Sequence, residues 1–105
     1  MAATLPMNQF QIIQFDSVDK YIENLPEKER VKVHGSISAL KKGDFGAVHI
    51  KQLKDSIREL IIKQHRLLFF QKDQVFYFVR AFRKKSMKTP KLEIEYAEKI
   101  YKDIP

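Results

Sequence analysis

Cysteine and tryptophan are missing from the 105 residues, glycine occurs three times and proline four. Without cysteine there is no disulfide framework and no thiolate metal site, so a reducing setting, the cytoplasm, is expected. Three glycines leave no phosphate-cradling glycine loop. The three histidines, His34, His49 and His65, stand too far apart for a spacing-based metal motif. No metal and no other cofactor is expected. No apolar run approaches the roughly 20 residues that cross a bilayer, so no membrane partner is expected. The opening Met1-Ala2-Ala3-Thr4-Leu5-Pro6 has neither the basic start nor the apolar segment of a secretion signal. Aspartates and glutamates form no convincing pair across the strand patterns, which argues against a carboxylate hydrolase.

What is present is an apolar fraction of 44%, eight phenylalanines and an excess of positive charge, 20 Lys and Arg against 13 Asp and Glu. This composition fits one folded domain over residues 1–105. The charge is unevenly spread. Residues 51–91 carry 12 cations against Asp55, Glu59 and Asp73, a local +9 in a chain whose total is +7. Six of those cations fall between Arg80 and Lys91. A pI near 9.7 with the charge confined to one window points to a polyanionic partner such as RNA.

The elements follow from periodicity. Gln9 to Phe15 alternates and reads as a strand. Ser17 offers an N-cap, and Val18, Tyr21, Ile22 and Leu25 repeat at helical spacing. Pro26 suits the first turn of a second helix, whose stripe is Val33, Ile37 and Leu40 and whose C′ residue is Gly43. Gly35 inside that helix suggests close approach of another backbone. Asp44 to Asp55 is irregular or a weak strand. Ile57 to Lys63, His65 to Gln71 and Gln74 to Phe82 then read as three strands with short loops, which pair antiparallel. Thr89 and Pro90 suit the N-cap and first turn of a last helix. In that helix Glu95–Lys99 and Glu98–Lys102 are i,i+4 pairs. The expected class is α+β, with an antiparallel sheet of about four strands, two N-terminal helices and a C-terminal helix.

The chemistry available is that of cations on and around strands. Lys51, Lys54, Arg58, Lys63, Arg66, Arg80, Arg83, Lys84, Lys85 and Lys88 form the candidate set. Arg66 and Arg80 each interrupt an apolar strand, where a charge needs a partner or a wet groove. Glu59 is a possible structural partner for one of them. Cleavage of RNA by its own 2′-hydroxyl needs stabilised charge on the phosphate and two proton transfers. Guanidinium groups supply the first, and a lysine crowded by other cations supplies the second. The same residues also suit plain phosphate binding, and residue types alone leave both readings open.

The order Leu53-Lys54, Arg58-Glu59-Leu60, His65-Arg66-Leu67-Leu68-Phe69-Phe70, Phe82-Arg83-Lys84-Lys85-Ser86-Met87-Lys88-Thr89-Pro90 and Glu93-Ile94-Glu95-Tyr96-Ala97 resembles the RelE/HigB superfamily. The similarity is to its phage-related HigB-like toxins and covers about half the chain. It implies a RelE-like fold and the toxin of a type II toxin–antitoxin system. It further implies a metal-independent, ribosome-dependent mRNA endonuclease (an mRNA interferase) that inhibits translation, with a cognate helix-turn-helix antitoxin as partner. By position Arg66, Lys54, Lys84, Lys85 and Lys88 match basic residues of the family pattern; joined to the reading of the residues themselves, this puts Arg66 and Arg80 at the scissile phosphate as an expectation. Lys54 and Lys63 are expected in proton transfer, with His65 a further acid–base candidate on the opposite face. Lys51, Arg58, Arg83, Lys84, Lys85 and Lys88 are expected on the RNA backbone. Ile61 stands where the family commonly has arginine, and Lys63 is the nearest substitute. The same fold also serves ParE-like gyrase-inhibiting toxins, and a non-catalytic RNA-binding domain is the remaining alternative.

Overall fold

The strand nearest the N-terminus pairs with the last strand of the chain. A computed structural model describes residues 9–105. The opening segment read above as lacking a secretion signal lies outside them. The described elements are β1 (Gln11–Gln14), α1 (Asp16–Glu23), α2 (Glu27–Lys41), a single 3₁₀ turn (Phe45–Ala47), β2 (His49–Lys54), β3 (Ile57–Ile62), β4 (His65–Lys72), β5 (Val75–Arg83) and α3 (Lys91–Asp103). The sheet order is β1-β5-β4-β3-β2. β2 through β5 form an antiparallel meander, and β1 adds parallel to β5 with Gln11 opposite Val75.

Two corrections to the expected sheet follow. Among the described residues it has five strands, and it is mixed. The weak Asp44–Asp55 pattern contains a strand, held by its ladder to β3. β1 is parallel because α1 and α2 carry the chain across one face before the meander begins, a long-range pairing without a local signal.

Helices cover both faces. Val18, Ile22, Val33, Ile37 and Leu40 from α1 and α2 pack over Leu60, Ile62, Leu67, Phe69, Phe76 and Phe78. On the other face Ala97 of α3 packs over Ile57, Leu68, Phe70 and Val79. Burying each large apolar side chain contributes about 1.5–3 kcal/mol. β4 lies at the centre, and its residues from His65 to Phe70 are all buried. This explains its nearly unbroken apolar run. In β5 the register shifts opposite Leu68 and Phe69. The extra residue flips the alternation expected from sequence. Ala81 therefore joins Phe76 and Phe78 on the α1/α2 face, while Phe82 joins Tyr77 and Val79 on the α3 face.

Helix ends differ from the expected caps by one residue. Phe15, Pro26 and Pro90 hold the N-cap positions of α1, α2 and α3. Ser17 therefore lies inside α1, and Thr89 is free for another role. α3 is fastened at its C-terminal end by Lys72, whose Nζ donates to the Tyr101 carbonyl at 2.6 Å and to that of Ile104. The same ammonium lies 4.2 Å from the Tyr101 ring centroid. A cation there also meets the negative end of the helix dipole. Gly43, with φ of 78°, closes α2 in the left-handed region that favours glycine.

Gly35 is exposed, and no heavy atom lies within 4 Å of where its Cβ would stand. The expected close backbone approach is absent. Gly35→Ala should therefore stabilise the fold by about 1 kcal/mol, read as a higher midpoint in urea unfolding.

Candidate active site

Three two-residue loops join the meander, and each begins with a residue in the left-handed region: Asp55, Lys63 and Asp73, with φ of 51°, 53° and 55°. Aspartate tolerates this geometry, whereas lysine is uncommon there. Lys63 thus sits at the tip of the β3–β4 turn and not in the strand as the sequence suggested. From there it reaches two clefts.

One cleft, of 410 Å³, is lined by Lys63, Gln64, Arg66, Lys84, Lys85, Ser86 and Met87. Four cations converge and no carboxylate lines it. Arg66 forms its base. The side chain is nearly buried, and Nη1 donates to the carbonyls of Lys63 at 2.6 Å and His65 at 3.0 Å. Its Nε stands 3.8 Å from Glu59 Oε1, in ion-pair range, and makes no hydrogen bond. Glu59 is itself buried and accepts from the Thr89 hydroxyl at 2.5 Å. The sequence-based pairing of Glu59 with a strand arginine is therefore with Arg66. The same carboxylate ties down the loop that supplies Lys84 and Lys85. The Lys84 amide also donates to the Gln64 carbonyl at 2.7 Å, which joins this loop to the β3–β4 turn.

The second cleft, of 620 Å³, shares Lys63 and Gln64 and adds Pro26, Glu27, Lys28, Glu29 and Arg83. Its charge is mixed. Arg83 donates to the Gln64 side chain. Behind the cleft lies a relay on the α1/α2 face. His65 is fully buried between Glu29, 2.6 Å from its Nε2, and the Tyr21 hydroxyl, 2.6 Å from its Nδ1. The carboxylate can only accept, so Nε2 carries a proton, and Nδ1 of a neutral ring accepts from Tyr21. Burial raises the Tyr21 pKa, with Arg83 opposing and Glu29 reinforcing, which keeps the phenol a donor. The hydrogen bond from His65 is the main influence holding the Glu29 carboxyl below its ordinary value. Lys32 stands against Lys63, and that contact pulls its ammonium below the usual lysine range.

The remaining candidates lie apart. Arg80 is on the α3 face, where its Nε is held by both Glu93 oxygens at 3.0 Å. Lys54, on the edge strand, pairs with Glu98 at 3.7 Å. Glu98 thus bonds across to the sheet rather than along α3. Lys51 is exposed on the same edge strand, and Arg58 is half-buried on the α1/α2 face. Lys88 is exposed in the 84–90 loop, outside the cleft lining. His65 faces away from the cleft, closed off from solvent. Ile61 lies opposite Arg66 and is half-buried, and the cation nearest in sequence is Lys63 at the turn. Sequence reasoning missed Tyr21, Lys28, Glu29 and Lys32. Lys28 and Lys32 are one helical turn apart on α2, a spacing indistinguishable from an ordinary solvated face.

The arrangement of the five-stranded sheet and three helices defines a RelE-like fold. It matches the archaeal RelE–RelB complex from Pyrococcus horikoshii OT3 with a TM-score of 0.63 at 12% identity, over 72% of this chain and 96% of that one. It also matches the RelB–RelE antitoxin–toxin complex from Methanococcus jannaschii with a TM-score of 0.59 at 12% identity, over 89% of this chain and 99% of that one. No curated protein matches the sequence. Residues 20–102 match the family described as phage derived protein Gp49-like (DUF891), and the chain belongs to that family.

Two measurements probe this region. Lys63→Asn places a residue tolerant of the left-handed region at the turn and removes the repulsion with Lys32. It should raise stability by up to about 1 kcal/mol, measured by thermal unfolding. Glu29 binds protons less readily folded than unfolded. Its contribution is complete above its ordinary value of 4.5 and is lost as pH falls through the lower folded value. Glu29→Gln should flatten the acid side of the stability curve, read as urea midpoints between about pH 3 and 6.

Proposed function

We propose that the protein is the toxin of a type II toxin–antitoxin pair and acts in the cytoplasm as a metal-independent endoribonuclease on translated mRNA. The observation that carries this reading is the convergence of Lys63, Arg66, Lys84 and Lys85 in one 410 Å³ cleft without a carboxylate in its lining. A phosphodiester bound there meets fixed positive charge on several sides. Arg66, immobilised by two carbonyls and Glu59, is preorganised for the charge that grows on the phosphate. Lys84 and Lys85 add to it from the loop. The 2′-oxygen attacks phosphorus, the bond to the 5′-oxygen breaks, and a 2′,3′-cyclic phosphate and a 5′-hydroxyl result. Lys63, with Lys32 at its back, is the proton-transfer residue in this scheme. Lys54 and His65 have no part in it, because neither lines the cleft. The RelE structures of like fold were solved in complex with RelB, which supports an antitoxin partner here; the helix-turn-helix type is carried from the family resemblance.

Mapping of RNA ends after brief induced expression tests this reading. New ends within translated messages, with cyclic phosphates, are expected. Lys84→Ala and Arg66→Lys should each lower cleavage by about 100-fold or more while the protein stays folded. Filamentation and DNA damage with intact messages would instead indicate a gyrase-directed toxin. Growth arrest without new RNA ends would indicate a non-catalytic RNA binder.

A further inference from the structure

Beside the phosphate cleft lies a third one, of 330 Å³, sharing Lys85 and Ser86 with it and lined also by Arg80, Phe82, Arg83, Pro90, Leu92 and Glu93. Its character differs. Arg80 is already neutralised: both Glu93 oxygens accept from its Nε at 3.0 Å, and the Tyr96 ring centroid lies 5.4 Å from its guanidinium carbon. The two Nη groups have no partner among the described residues, and the side chain is 40% exposed. Phe82, Pro90 and Leu92 form an apolar flank to this donor fork, and Arg83, Lys85 and Ser86 complete the lining. Leu92, at the start of α3, is 77% exposed. Phe82 is half-buried, and Pro90 adds a flat ring.

Arg83 and Lys85 in the lining suit the backbone that runs through, while the neutral ion pair with spare donors beside an apolar flank offers something other than charge. It is well suited to the edge of an uncharged ring. We infer that this cleft holds the unstacked base next to the cleaved phosphodiester, and that Arg80 reads it as guanine. The paired Nη donors match the O6 and N7 acceptors of guanine, an edge left free in single-stranded RNA. Phe82 and Leu92 cover the base face. Glu93 is a positioning residue: holding Nε aims Nη outward, and its charge keeps Arg80 from competing for phosphate. The assignment moves Arg80 from the scissile phosphate, where its place in an apolar strand suggested it, to sequence selection.

This inference rests on the proposed phosphodiester site next door, and its test separates the two. Purified protein is titrated, by fluorescence anisotropy, with labelled hexauridylate and with the same oligomer carrying one internal guanosine. The guanosine oligomer should bind about tenfold tighter. Arg80→Lys and Glu93→Gln should each bring that ratio within about twofold of unity, with hexauridylate affinity changed less than about threefold. Lys84→Ala should weaken both oligomers alike. Equal wild-type affinity for the two oligomers, binding of neither, or equal weakening of both by Arg80→Lys would overturn the base site. A preserved guanosine preference without any RNA cleavage in cells would overturn the nuclease reading and leave the base site standing.

Discussion

A guanidinium held inside the middle layer of a protein must be compensated, and the way Arg66 is compensated organises the rest of the cationic end. Two carbonyls of the β3–β4 turn take its Nη1, and Glu59 supplies the opposite charge from the neighbouring strand. Removing either partner would leave a buried charge unpaired, a loss of about 3–5 kcal/mol in comparable sites. Glu59 then anchors Thr89. One carboxylate therefore links the central sheet to the loop bearing Lys84 and Lys85. The loop takes its place because its far end is tied to the sheet, although its own side chains are exposed or half-exposed.

The three clefts around this end differ in charge in a way that suits different ligands. The 410 Å³ cleft is purely cationic, the 330 Å³ cleft sets a carboxylate-paired arginine beside an apolar flank with Arg83 and Lys85 in its lining, and the 620 Å³ cleft mixes lysine, arginine and two glutamates. Lys63 belongs to the first and third of these and occupies a backbone conformation that suits asparagine or glycine better. A strained lysine at the junction of two clefts is the kind of local compromise found where a side chain serves a ligand rather than the fold.

Much of the fold was legible in the chain. The helical stripes of α1 and α2, the two short turns and the double-sided β5 each have a local pattern that packing obeys. The five-strand count and the parallel β1 were not legible, because pairing between residues 11 and 75 leaves no local trace. The bulge in β5 was also hidden, and strict alternation along the strand would put Arg80, Ala81 and Phe82 on the wrong faces. For the site, charge clustering brought out Lys63, Arg66, Lys84 and Lys85, which do share a cleft. It could not separate them from Lys51, Lys54, Arg58, Lys88 or Arg80, since the carboxylates that claim Lys54 and Arg80 sit on α3, far along the chain. His65 read as an acid–base candidate beside Arg66; only the packing of α1 and α2 shows it sealed between Tyr21 and Glu29.

One helix carries both of those carboxylates. Glu93 holds Arg80 on β5 near the start of α3, and Glu98 holds Lys54 on β2 further along it. Sliding α3 by a single turn, about 5.4 Å, would break both grips together and leave one cation on β5 and one on the edge strand β2 without its carboxylate. The seating of this last helix thus fixes the pairing of both cations at once.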